Sequence, residues 1–414
     1  MEPRDVNLLD LHRFEQGTPH DQFALLRREA PVYWHAEPDG PGFWCITKYA
    51  DVRHVSKHPE LFSSQRQGTM IEDPAPHDLP LIQTIMLNMD PPQHRRYRAL
   101  VNKAFTPRIM QNLAPAVEAM VRRIIDSVIE RGECDFVNDI AAPLPLEVIC
   151  ELMGVPHEDR RQIFELGNRM IGVDDPELSP ETAEFGTRDY QNASAEMFMY
   201  AGKLANLCRR HPGENLGTTL LHAEVDGHRL TELEYNSFFL LLAIAGNETT
   251  RTVTTNGMLA LMEHPAQRRL LQEQPALVPS AVEEMIRFAP PVHHFRRTAV
   301  TDTEIRGVRI RENDKVVMWY PSANRDEEVF PNPDVFDVRR SPNEHLGFGI
   351  GEHYCLGANL ARLELHVMIR ELVRRLPDME LAAAPRRLRS NFINGVKEMR
   401  VRFTPQARRE AAVA

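Results

Sequence analysis

Cys355 stands in Phe348-Gly349-Ile350-Gly351-Glu352-His353-Tyr354-Cys355-Leu356-Gly357, a glycine-punctuated loop that runs into an apolar-periodic stretch through Ala361, Leu363 and Leu365. That stretch predicts a helix with Cys355 at its N-terminus, where free N–H groups and the positive end of the helix dipole favour thiolate over thiol. Gly349 and Gly351 are expected to let the backbone pass close beneath a flat macrocycle without Cβ clashes. A thiolate under a flat macrocycle is how a protein holds haem iron by sulfur, and such a ligand promotes O–O cleavage. A lone cysteine is more often a small buried hydrophobe. The glycine pattern sets Cys355 apart from Cys45, Cys134, Cys150 and Cys208.

Other segments carry chemistry less specifically. Phe238-Phe239-Leu240-Leu241-Leu242-Ala243-Ile244-Ala245-Gly246-Asn247-Glu248-Thr249-Thr250 is apolar almost all round, which predicts a buried central helix. Its polar interruption needs a reason. A mid-helix glycine costs about 1 kcal/mol against alanine, and a buried carboxylate must find partners or change protonation. Glu284 and Arg287 sit one helical turn apart, a spacing that by itself fits an ordinary exposed pair. His94 and Arg98, at i and i+4 after Asp90-Pro91-Pro92, share a helix face.

Taken in order, these segments resemble those of the cytochrome P450 superfamily, the haem-thiolate monooxygenases, over roughly residues 20 to 403. The resemblance implies a mainly α fold with a smaller β region, residues 1–414 forming one large unit. It implies that Cys355 is the axial ligand of haem b, iron protoporphyrin IX, with Phe348, Gly349 and Gly357 in the supporting loop. Ala245 and Gly246 would flank the haem on the oxygen-binding helix, Thr249 would hydrogen-bond dioxygen or its relay water, and Glu248 would bring protons in. His94, Arg98, Arg297 and His353 would hold the haem propionates. Glu284, Arg287 and Arg340 would be a buried structural set, Arg340 suiting the role better than Arg339.

The resemblance further places Val292, His293, Phe295, Val253 and Ile393 at the substrate pocket. Trp319 to Asp326 and Asn391 to Gly395 are similar to bacterial enzymes that hydroxylate sterol side chains and methyl-branched lipids. A steroid, terpenoid or branched fatty acid is therefore expected, although imidazoles at His293 and His294 would favour a more polar ligand. No Gly-x-Gly-x-x-Gly motif is present. Electrons would come from NAD(P)H through a reductase and a separate ferredoxin or flavodoxin, docking on a basic patch among Arg95, Arg96, Lys103 and Arg362. Rival readings are a peroxide-driven peroxygenase, which Glu248-Thr249 argues against, and a non-catalytic haem-thiolate binding or sensor protein.

The elements that must position these residues are legible in outline. Pro31 to Val52 alternates around Gly40-Pro41-Gly42 and predicts a β-hairpin. Helical patterning runs from Asp90-Pro91-Pro92 to about Leu277, broken by a Pro/Asp/Glu-rich loop at Val173 to Glu184, a candidate lid. Strands return at Arg297 to Val317 with a turn at Gly307, and Asn324 to Asn343 lacks any period. Net charge is −10, which argues against nucleic acid as a partner. The scattered cysteines suit a reducing compartment. The N-terminus lacks a signal-peptide pattern, and the longest apolar run near the middle is about half a membrane span, so no membrane span and a cytoplasmic location are expected.

Overall fold

Helical periodicity dominates the chain, and the helices that frame the site are α1 (Gln93–Asn102), α2 (Pro143–Met153), α3 (Arg160–Ile171), α4 (Glu232–Glu263), α5 (Val278–Phe288) and α6 (Ala358–Arg375). The structure, a computed structural model, describes residues 1–102, 105, 107–171, 175–178, 183–225 and 227–408. Thr231 and Glu234 start α4 with a reciprocal capping box, Thr231 Oγ1 accepting from the Glu234 amide and Glu234 accepting from the Thr231 amide. The helix is 32 residues long, roughly 48 Å at 1.5 Å per residue, and passes through the main helical core as expected. Pro265 then opens the next helix.

Strands β1 (Val32–His35), β2 (Phe43–Ile46), β3 (Phe62–Ser63), β4 (His294–Ala299) and β5 (Lys315–Trp319) form one sheet in the order β1-β2-β5-β4-β3. The predicted hairpin is β1–β2, but it ends at Ile46, and Tyr49–Lys57 is helical. β5 lies parallel to β2 and antiparallel to β4, with Trp319 opposite His294 and Val316 opposite Arg297. The turn at Gly307 joins Thr303–Ile305 to Val308–Ile310, with positive φ at Arg306 and Gly307 as a tight hairpin turn requires.

Between Ala323 and Gly351 the described chain forms neither helix nor strand, matching the absence of period. Its carbonyls are satisfied from a buried ionic set. Arg287 Nη1 donates to Asn324 O and Pro333 O, and Arg340 donates to Pro331 O and Val335 O. Both guanidinia also donate to the Glu284 carboxylate at 2.7–3.2 Å, and the Asp337 amide and Asn343 add bonds to it. Glu284 and Arg287 are fully buried, so the pair is not the exposed one that its spacing alone suggests. Arg339 faces solvent with Asp337 instead.

Of the predicted loop at 173–184, residues 175–178 are irregular, the chain is helical from Ala183, and the remainder lies outside the described residues. Asp175 is anchored by Lys397 Nζ at 2.8 Å and by the Arg389 amide at 3.0 Å. Among the described residues no helix is long and apolar enough to cross a membrane.

Candidate functional site

One cavity lies between α4 and α6, and Cys355 lines it together with Phe348, Gly349 and Gly357. The loop is closed by the Cys355 amide donating to Phe348 O at 2.9 Å. The helix begins at Ala358, three residues after the cysteine, with Gly357 as its cap. Burial pushes the Cys355 thiol up, and the Gly357 amide, Arg98 and Arg362 oppose that shift.

The glycines divide their work differently from expectation. A Cβ at Gly357 would meet nothing within 4 Å, and one at Gly349 (φ +68°) would meet only His353 O, at 3.6 Å. These positions leave the cavity floor open. Gly351 does not line the cavity, and a Cβ there would sit 2.7 Å from Ser56 O. It is glycine because φ is +79° and because the loop lies against the backbone of helix Tyr49–Lys57.

His94 and Arg98 of α1, Arg297 of β4 and His353 face this same cavity. Arg98 Nη2 donates to Tyr354 O at 2.7 Å. Arg297 is 4% exposed, its Nη1 donates to Arg296 O, and no carboxylate pairs with it among the described residues. Asp90, whose charge reaches it, is already bonded by Ser63 and by the Ser64 amide. His94 and His353 rings lie 4.3 Å apart, and His94 Nδ1 has no hydrogen bond, the nearest acid being Glu352 at 3.9 Å. Burial lowers the pKa of both imidazoles.

On α4, Ala245, Gly246, Thr249 and Val253 line the opposite wall. Thr249 Oγ1 donates to Ala245 O at 2.6 Å. Gly246 also lets α2 approach, since a Cβ there would stand 2.6 Å from Ile149 Cδ1. Glu248 is buried but does not line the cavity. It pairs with Arg251, which donates to Asn168 of α3, and it accepts from Thr252 Oγ1 at 3.4 Å.

Of the expected substrate residues, Val292, Phe295 and Val253 line the cavity; His293 and Ile393 do not. Strand alternation explains much of this: Phe295 and Arg297 of β4 face the cavity, so His294 and Arg296 point behind the sheet. His293 precedes the strand and is turned towards Thr18 Oγ1 (3.1 Å), Asn391 O (3.2 Å) and the Phe14 ring. Ile393 is bridged to Val292 and lies behind it. Both imidazoles are buried and pushed down to about 3, chiefly by desolvation, and neither makes the pocket polar. The basic patch is also smaller than expected. Arg95 pairs with Glu352, Arg362 pairs with Glu283, Arg96 is exposed, and Lys103 lies outside the described residues.

Comparison with known proteins settles the family. The cytochrome P450 family model matches residues 187–377. The chain is 39% identical over 412 residues to a steroid C26-monooxygenase of Rhodococcus jostii, covering 97% of this chain and 85% of that one. It is 42% identical over 411 residues to a methyl-branched lipid omega-hydroxylase of Mycobacterium tuberculosis, covering 97% and 94%. A Mycobacterium marinum cytochrome P450 solved in complex with pseudoionone superposes with a TM-score of 0.88 at 36% identity, covering 94% of this chain and 97% of that one. The chain belongs to the cytochrome P450 family. This P450 is a monooxygenase that uses haem and dioxygen, which removes the sensor reading.

The residues present fit the haem. A sulfur donor, glycines that keep a flat floor open, a buried guanidinium lacking a counter-anion and an imidazole with an unpartnered ring nitrogen meet at one cavity. Sequence reasoning missed several lining residues of this P450, among them Leu241, Leu242, Ile149, Tyr320 and Glu364. Glu364 is 1% exposed with an unpartnered Oε2, and burial raises its pKa well above the carboxylate range. Its position on the α6 stripe Gly357, Leu360, Ala361, Glu364 was a signal available from helical spacing.

Proposed function

We propose that this P450 hydroxylates a steroid side chain, a terpenoid or a methyl-branched lipid, with electrons delivered from NAD(P)H through a reductase and a separate ferredoxin or flavodoxin in the cytoplasm. The observation that carries the reading is that Cys355, Arg297 and Thr249 line a single cavity whose remaining wall is largely apolar, including Leu241, Leu242, Val253, Val292 and Phe295. A pocket of this kind suits a hydrophobic molecule oriented by few polar contacts. Relatives named for steroid and methyl-branched lipid substrates support the same class.

When bound, haem supplies the iron that activates dioxygen for insertion into a C–H bond. Cys355 provides the sulfur ligand, with Phe348, Gly349 and Gly357 shaping its loop. His94, Arg98, Arg297 and His353 donate to the propionates. Ala245 and Gly246 leave room beside them, and the Thr249 hydroxyl stands in the cavity to position water and pass a proton. Glu248 faces α3, so it acts as the outer proton source only when its pair with Arg251 opens or a water links it to Thr249. Glu284, Arg287 and Arg340 hold the irregular segment that leads to the cysteine loop. With Arg95 and Arg362 neutralised, Arg96 is the free cation left for an acidic redox partner among the described candidates.

The experiment joins ligation to substrate class. The reduced protein with carbon monoxide should show the red-shifted Soret band of thiolate ligation, and Cys355→Ser should lose it while Cys45→Ser keeps it. Titrating cholest-4-en-3-one and a methyl-branched fatty acid into the ferric enzyme should shift the spectrum towards high spin, with a product 16 mass units heavier on turnover. A shift only from a polar polyketide or a peptide would overturn the substrate class.

A further inference from the structure

Tyr320 lines the cavity, is 6% exposed, and its phenol makes no hydrogen bond to any described residue. A tyrosine hydroxyl enclosed in this way ordinarily finds an acceptor. Its position is not adjustable. The Tyr320 amide donates to His293 O at 2.9 Å at the end of β5, and the ring stands edge-on to Phe295 at 6.2 Å. Phe295 and Arg297 are on the cavity face of β4, so the phenol lies at the end of the cavity where the Arg297 guanidinium also lacks a counter-anion. The two groups are close enough to act on each other electrostatically, each altering the other's proton affinity.

Two unmet donors at one end of a cavity call for one anionic acceptor, and a neutral ketone or alcohol would leave the guanidinium uncompensated. We propose that the Tyr320 phenol donates to the same haem carboxylate that Arg297 receives, making it a further propionate-binding residue of this P450. The inference rests on the reading of the cavity as the haem site.

The test is haem release from the holoenzyme to excess apomyoglobin, followed for native haem and for protein reconstituted with haem dimethyl ester, whose carboxylates cannot carry charge. Tyr320→Phe keeps the ring against Phe295. It should speed release of native haem roughly tenfold or more, the scale of one hydrogen bond to a charged group, and release of the ester less than twofold. No acceleration, or equal acceleration with both haems, would overturn the proposal. Arg297→Leu run alongside separates the failures. If it too treats the two haems alike, the haem orientation itself is wrong, whereas an ester-dependent effect at Arg297 alone rejects only the role of Tyr320.

Discussion

Gly246→Ala isolates a cost that the central helix accepts in order to let α2 approach. An alanine in mid-helix should stabilise by about 1 kcal/mol relative to glycine. The added Cβ would stand 2.6 Å from Ile149 Cδ1 and 2.9 Å from Ile149 Cγ1, about 1 Å inside normal carbon contact. Forcing that contact, or driving Ile149 off its rotamer, costs about 1–3 kcal/mol. The net effect is about 0–2 kcal/mol of destabilisation. Ile149→Ala alone should cost about 2–5 kcal/mol by leaving a cavity, but in that background Gly246→Ala meets no clash and should stabilise. The coupling is therefore about 1–3 kcal/mol, read as thermal midpoints of the four haem-loaded proteins at one scan rate. For a chain of this length 1 kcal/mol corresponds to about 1 °C. A Gly246→Ala shift of the same sign and size in both backgrounds would refute the argument.

Glu284→Gln keeps shape but leaves Arg287 and Arg340 facing a neutral amide, and should cost about 3–5 kcal/mol, measured as a lowered thermal midpoint; a loss below 1 kcal/mol would mean that the carbonyls around Arg287 suffice without the charge. Thr249→Ala should retain the substrate-induced spectral shift but lose severalfold in product formed per NAD(P)H, and unchanged coupling would confine Thr249 to its bond with Ala245. His294 is buried and its pKa is pushed down to about 3, chiefly by desolvation. The unfolded chain therefore binds more protons below the ordinary histidine value near 6.5, and stability falls as pH drops from there towards 3. The loss is roughly 2 kcal/mol by pH 5 for one such group. His294→Phe, packed against Trp319 and Phe392, should flatten the fall in thermal midpoint between pH 6.5 and 5, and an unaltered profile would assign the acid sensitivity elsewhere.

Where a function needs residues close together in the chain, it is legible in the chain. The loop from Phe348 to Gly357 and the helix face of Ala245, Gly246 and Thr249 could be read because one turn or one helix fixes their relative geometry. The i and i+4 spacing of His94 and Arg98 fixed their shared helix face, while the role expected of them came with the resemblance. That Glu284 and Arg287 are buried was knowable only through the resemblance, because their spacing equally describes a surface pair.

What the tertiary structure decided are the questions of which face and which partner. His293, His294 and Phe295 are consecutive, and pairing with β5, together with the bridge of Val292 to Ile393, sends the imidazoles behind the sheet and Phe295 into the cavity. Gly351 answers to the backbone at Ser56, Arg95 and Arg362 are cancelled by Glu352 and Glu283, and Tyr320 meets Arg297 only across the sheet. Local spacing sets what a side chain can do. Which neighbour it meets depends on contacts between residues tens to hundreds of positions apart, and those are formed by packing, which no short pattern encodes.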